Sequence, residues 1–283
     1  MIVAIVGRKG GIGKTTTAVH LAGAFALAGR RVLLVDLDAQ ASASRSLGIA
    51  REALAPSIHD VLFRDLPIDA AVRATASPGL DLVTASADLV HADLDLAGHR
   101  NREERLASVL APVAARYDWV LLDTPPALST LTASALVAAD GFVVPATAQP
   151  LALDGIEVAL EFAERLRRRF GRPRRFLGIL LTMVDRRNRA TFTHVAELRL
   201  RYGLEVFDAE IPINVRLAEA PAAGGTVFQT APKATGAHAY RLAAVELAER
   251  VGLSDPPAAE ARGGREADPP PSPSARGWSA PPS

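Results

Sequence analysis

Near the start of the chain, glycines and two lysines are spaced as in a loop that holds phosphate. Arg8, Lys9, Gly10, Gly11, Ile12, Gly13, Lys14, Thr15 and Thr16 follow one another directly. Glycines let successive backbone N–H groups converge on phosphate oxygens, and a helix that starts there adds the positive end of its dipole. In such a loop Lys14 reaches the β- and γ-phosphates of ATP, and the Thr15 hydroxyl takes one position around Mg²⁺. The usual motif has glycine six residues before the lysine, where this chain has Arg8. Lys9 is a second ammonium that one nucleotide does not need. Placed across a dimer, it would neutralise charge on the partner's nucleotide, as an arginine finger does. Only three of the 32 basic residues are lysines, and two of them lie in this loop. A composition biased toward arginine is the plainer account of that scarcity.

Three carboxylates stand where a phosphate loop would need them. Asp36 and Asp38 follow the apolar run of residues 31–36, and Asp123 ends Trp-Val-Leu-Leu-Asp. The carboxyl ends of parallel strands carry ligand sites, so these acids are candidates. A pair of acids that ends a strand and solvates a loop is the simpler alternative for Asp36 and Asp38. Asp123 matches the Walker B acid, which holds Mg²⁺, usually through water. The Thr124-Pro125-Pro126 that follows reads as a rigid turn.

The elements that must position these groups alternate in kind. Residues 2–6 read as a buried strand, 15–28 as a helix stopped by Gly29, and 31–36 as the next strand, which makes a βαβ unit. Residues 39–76 read as irregular. Strands follow over 80–84, 119–123, 141–145 and 176–182, with helices over 102–117, 131–139, 152–170, 191–202 and 236–251. This order predicts one α/β domain over residues 1–253, a mostly parallel sheet flanked by helices. Residues 254–283 are rich in Pro, Ala, Gly and Ser and read as a disordered tail.

Composition narrows the classes. With 283 residues, 49% of them apolar, the chain can bury a sizeable core. It has no cysteine, which excludes disulfides and thiolate metal sites. No apolar run approaches the ~20 residues of a membrane span, and no signal peptide is evident, so a cytoplasmic protein is expected. A net charge of +1 implies neither nucleic acid nor membrane as a partner.

Lys9-Gly-Gly-Ile-Gly-Lys-Thr-Thr resembles the deviant Walker A box of the ParA/Soj and MinD ATPases. Residues 102–112, 145–155, 181–188 and especially 211–240 look like ParA/Soj segments, so the likeness spans residues 2–251. It implies that Lys9 acts in trans, that Asp38 orients the attacking water and that Asp36 belongs to the loop–metal network. It makes the segment after Asp123 a switch that senses the γ-phosphate, and places Pro212 and Asn214 near the adenine. A loop proline and a turn-forming asparagine are the plainer account of those two. The departures are Arg8 for glutamine, Ala39 and Ala41 around the retained Gln40, Pro150 for an acid, and Ile213 for an arginine.

The same likeness implies an ATP-bound homodimer that binds double-stranded DNA nonspecifically, at the nucleoid, until a ParB-like protein stimulates hydrolysis. The candidate DNA contacts are Arg186, Arg187, Arg189, Arg216 and Lys233, with Arg187 and Arg216 closest to the family's positions. A further basic cluster covers residues 165–175, where arginine also suits a helix end. MinD is the alternative, with a membrane as target. It needs a C-terminal amphipathic helix, whereas the last thirty residues are Pro-rich with Trp278 as the one large apolar group, so no membrane partner is expected. The nitrogenase iron protein needs cysteines that are absent. No helix-turn-helix segment precedes the loop, so operator binding is not expected.

Overall fold

Three strands of this chain are apolar almost throughout, which a sheet tolerates only when helices cover both of its faces. The computed structural model describes residues 1–99, 101–149, 152–171 and 175–253. Among them the order is β1 (Ile2–Ile5), α1 (Lys14–Leu27), β2 (Val32–Asp36), α2 (Ser42–Ser46), α3 (Ile58–Phe63), β3 (Val72–Ala74), β4 (Leu80–Val83), α4 (Ala92–Ala97), α5 (Arg105–Ala114) and β5 (Trp119–Asp123). Then come α6 (Thr130–Ala138), β6 (Gly141–Thr147), α7 (Ala152–Phe170), β7 (Arg175–Val184), α8 (Arg189–Tyr202), β8 (Val206–Pro212), α9 (Val215–Glu219), α10 (Val227–Thr230) and α11 (Thr235–Arg250).

The eight strands form one sheet in the order β3-β4-β2-β5-β1-β6-β7-β8. Every pairing is parallel except that of β3 with β4. Alternate strand residues feed two cores. Val3, Ile5, Val32, Leu34 and Leu121 pack under α1 and α11. Ala4, Val6, Leu33, Val35 and Leu122 pack under α5, α6 and α7. The rings of Phe25 on α1 and Trp119 on β5 stack at 4.1 Å, which fixes the first helix over the middle of the sheet. With β1 between β5 and β6, the chain's direction of winding reverses beside the phosphate loop, where open α/β sheets bind ligands.

The mostly parallel α/β architecture agrees with the alternation in the sequence. Residues 39–76 differ from the expectation: they hold α2, α3 and β3, each too short for a period to register. In α3, Asp60 accepts the Ser57 N–H at 2.8 Å, a local capping box. The helix expected over 102–117 is shorter, Arg105–Ala114. The edge strand β8 was hidden by Asp208 and Glu210, which interrupt its apolar run. The expected tail (254–283) and Pro150 lie outside the described residues. No helix among the described residues is long and apolar enough to cross a membrane.

Candidate nucleotide site

The loop between β1 and α1 takes its shape from residues that only glycine suits. Gly11 and Gly13 have φ of +75° and +83°, in the left-handed region. Gly13 is also the N-cap of α1, which has neither a capping side chain nor an acid in its first turn. The free N–H groups and positive end of that helix therefore face the loop. The inner arm is clamped from the sheet, because the Thr182 hydroxyl donates to the Ile12 carbonyl at 2.9 Å. A side chain at Gly13 would come within 3.5 Å of Thr182. A cavity of about 160 Å³ backs the outer arm, residues 8–11. Lys9 on that arm is exposed.

Lys14 is buried, and its ammonium donates to the Lys9 carbonyl at 2.9 Å. That leaves two of its N–H donors for phosphate oxygens. Burial lowers its pKa, opposed by the charges of Asp123 and Asp38. All three acids thus lie within electrostatic reach of one another or of this lysine.

Asp36 and Asp123 are paired in register on β2 and β5, and both are wholly buried. Their surroundings assign them different work. Asp36 accepts from Ser44 N and Oγ at 2.8 and 2.7 Å, and from Asp38 N at 3.1 Å. Its oxygens are spent on holding α2 and the Asp38 turn. Burial, opposed by these hydrogen bonds, pushes it up to about 6. Among the described residues Asp123 has no hydrogen-bond partner on either oxygen. Burial and then the Asp36 charge push it well above the carboxylate range, while the Thr15 hydroxyl and Lys14 pull the other way. Thr15 is thus close to Asp123, although their contact falls short of hydrogen-bond geometry. A buried carboxylate with unpartnered oxygens beside a helix-start threonine fits a hard cation. Among the described residues no cluster of three or more His, Cys, Asp or Glu forms a self-sufficient metal cage. Mg²⁺ bound mainly through phosphate and water needs none.

Asp38 is half-buried, and one of its oxygens accepts the Gln40 N–H at 3.0 Å. Thr124, after Asp123, donates to the Ile5 carbonyl at 2.7 Å, tying the turn that leaves β5 to β1. Thr16 lies in the first turn of α1, where its carbonyl meets His20 Nδ1 at 2.8 Å.

The two residues expected near a base lie further out. Pro212 closes β8 opposite Val184. The Asn214 side chain is spent on structure: its oxygen caps α9 through Arg216 N at 2.9 Å, and its amide donates to Thr235 Oγ1 at 2.6 Å. Of the candidate DNA contacts, Arg186, Arg187 and Arg189 follow β7, Arg216 lies on α9 after β8 and Lys233 precedes α11; all are exposed. Arg186 pairs with Glu210, Arg187 with Asp185 and Arg216 with Glu219. Arg187 also holds Asp185 below its usual range. Among the described residues Arg189 and Lys233 have no such acid.

Sequence reasoning missed Thr182 and Ser44, each a lone hydroxyl residue with no motif around it. What it found in pieces converges here: a phosphate loop, a buried acid free to meet a cation, and a sheet that brings them together define a P-loop nucleoside triphosphatase. Comparison with known proteins narrows this. Residues 1–174 match the family model described as an AAA domain. The chain is 40% identical over 252 residues to the chromosome partitioning protein ParA of Caulobacter vibrioides, covering 88% of this chain and 94% of that protein. It is 43% identical over 256 residues to the chromosome-partitioning ATPase Soj of Thermus thermophilus, covering 88% and 96%. This chain belongs to the ParA/Soj family of partitioning ATPases.

Solved structures agree on the fold. A cobyrinic acid a,c-diamide synthase from Mycobacterium smegmatis, with bound ADP and magnesium, superposes with a TM-score of 0.76 at 32% identity, covering 90% of this chain and 98% of that one. MinD of Pyrococcus horikoshii, complexed with Mg-ADP, gives 0.71 at 25% identity, covering 89% and 97%.

Proposed function

We propose that this protein hydrolyses ATP with Mg²⁺ as a dimer whose nucleotide-bound form holds nonspecific DNA, and that a ParB-like protein stimulates its turnover. The observation that carries the reading is the unpartnered, buried Asp123 beside Thr15 and Lys14, in a chain of the ParA/Soj family. The bound ADP, ATP analogue and magnesium of the Mycobacterium smegmatis protein support the choice of ligand.

Backbone N–H groups of residues 10–16 cradle the phosphates, and Lys14 neutralises the β- and γ-oxygens. Thr15 and Asp123 would hold Mg²⁺, which screens the triphosphate charge. Asp36 supports them indirectly by fixing the turn that carries Asp38. Asp38 orients a water molecule toward the γ-phosphorus; the new P–O bond forms as the bond to the β-phosphate oxygen breaks, releasing ADP and phosphate. Asp38 need not be a strong base, because phosphoryl transfer depends on position and charge. Lys9, on the outer arm, supplies its ammonium to the second protomer's nucleotide. Pro212 and Asn214, at the end of β8, are the candidates for the base side, where the backbone and not the capped Asn214 side chain would meet the base. The protein acts in the cytoplasm, at the nucleoid, with Arg186, Arg187, Arg189, Arg216 and Lys233 facing DNA.

Sedimentation with ATP and Mg²⁺, with DNA of random sequence or with liposomes, tests this. Co-sedimentation with DNA alone is the expected result. Liposome binding alone would instead favour the MinD-like reading, and binding to neither would remove the partitioning role. Lys14→Ala should abolish ATP binding in the same assay.

A further inference from the structure

Away from the phosphates, two arginines flank one groove, and among the described residues neither forms an ion pair. Arg8 stands at the outer arm of the loop and Arg165 on α7, with Pro126, Leu128, Val158 and Phe162 between them. The groove encloses about 450 Å³. Both arginines are exposed. The rest of the basic end of α7 is neutralised locally: Arg167 and Arg168 share Glu164, and Arg169 reaches Glu103. Arg165 instead lies over the Phe162 ring, 5.7 Å from its centroid. Stacking holds the planar group while its N–H edge stays free to bind a carboxylate in two-pronged fashion.

We propose that this groove docks a segment of a partner protein that carries a carboxylate next to an apolar side chain. The carboxylate lies between Arg8 and Arg165, and the apolar group covers Pro126, Leu128, Val158 and Phe162. Charge complementarity selects an acid, since a basic segment would meet two unpaired guanidiniums. The apolar floor selects a protein, because a nucleic acid backbone has nothing to cover it with. The occupant would touch both sides of the nucleotide site at once. Arg8 directly precedes Lys9, and Pro126 lies in the turn just beyond Asp123. This docking is independent of DNA binding and stands whether or not DNA is held.

The test uses the full chain with Mg-ATP and an array of synthetic twelve-residue peptides. Each has a central Glu flanked by Leu or Phe, with matched sets carrying Gln or Lys at the centre. The wild type should retain the Glu set about tenfold more strongly than the Gln set. Arg165→Glu should lose that preference and turn toward the Lys set, and Arg165→Gln should lose it without reversal. ATP turnover without peptide should stay within about twofold in both variants, which shows that they fold. Equal retention of Glu and Gln peptides by the wild type, or a preference that survives both variants, would overturn the proposal. So would loss of ATP-dependent dimers in either variant, which would make a second copy of this chain the occupant. Weaker DNA binding with unchanged peptide retention would make a phosphate the ligand, and the proposal would fall.

Discussion

Asp123 shows most directly what a nucleotide site costs its own fold. A carboxylate buried without partners is unfavourable in its charged form, which is why its pKa lies well above 3.8. Because the folded value exceeds the unfolded one, the native state binds this proton more tightly. Stability is therefore lost as pH rises from about 4 toward neutrality, the reverse of an ion-paired carboxylate. Asp123→Asn removes the charge, and the nucleotide-free protein should gain about 1–2 kcal/mol at pH 8. Its Tm should rise by about 2–6 °C, with the gain vanishing near pH 4. Thermal melts across that range, with and without Mg-ATP, provide the check. The variant should also lose the extra stabilisation that Mg²⁺ adds to ATP. A melting point unchanged or lowered at pH 8 would mean that the acid is satisfied in solution. Asp38→Ala is expected to behave differently, since Asp38 is half-buried and its side chain, among the described residues, holds only the Gln40 N–H. It should keep ATP-dependent dimers and block turnover, and dimers that turn over normally would show that Asp38 is misassigned.

The clamp between a strand and the phosphate loop depends on one hydroxyl. Thr182 donates to Ile12 on the loop and also lies 3.3 Å from the Ala146 carbonyl on β6. Thr182→Val keeps the shape and removes the donor, at a cost of about 1 kcal/mol in loop order. ATP affinity should fall about fivefold, while turnover at saturating ATP changes little, a split that steady-state kinetics can read. A fall in turnover alone would place Thr182 nearer the reacting atoms than the loop. This residue also marks the limit of what a sequence tells its reader. The loop was legible because glycine spacing, strand and helix each leave a pattern, and β1, β2 and β5 because burial on both faces requires continuous apolar runs. Thr182 leaves none, because one hydroxyl in Leu-Leu-Thr-Met-Val has no periodic partner. Ser44 was equally hidden: its bonds to Asp36 cross eight residues into a region with no repeating signal. The strand β8 was obscured because an edge strand can carry acids, here Glu210 paired with Arg186 and Arg199.

At the scale of the whole molecule, the proposed function asks two copies to close into one particle and then to hold a polyanion. Lys9, on the exposed outer arm of the loop, is the residue proposed for the first task. Lys9→Ala should leave ATP binding within about threefold but abolish ATP-dependent dimers in sedimentation, whereas dimers of undiminished stability would leave Lys9 without a role in trans. For the second task, the candidate basic residues after β7 and β8 and before α11 are unequally free. Arg186, Arg187 and Arg216 are each paired with an acid, so part of their charge is already neutralised. Arg189 and Lys233 are exposed and, among the described residues, free of such partners. If both meet phosphates, replacing the two with alanine should flatten the plot of log affinity against log salt by about 1.8. Arg187→Glu should weaken binding more at low salt, because it leaves two acids side by side where Asp185 now has a counter-charge. Fluorescence anisotropy with random-sequence DNA, taken at four salt concentrations with Mg²⁺ and a non-hydrolysable ATP analogue, reads both effects. An unchanged slope in the double variant would move the DNA face away from Arg189 and Lys233, even if the protein still bound DNA.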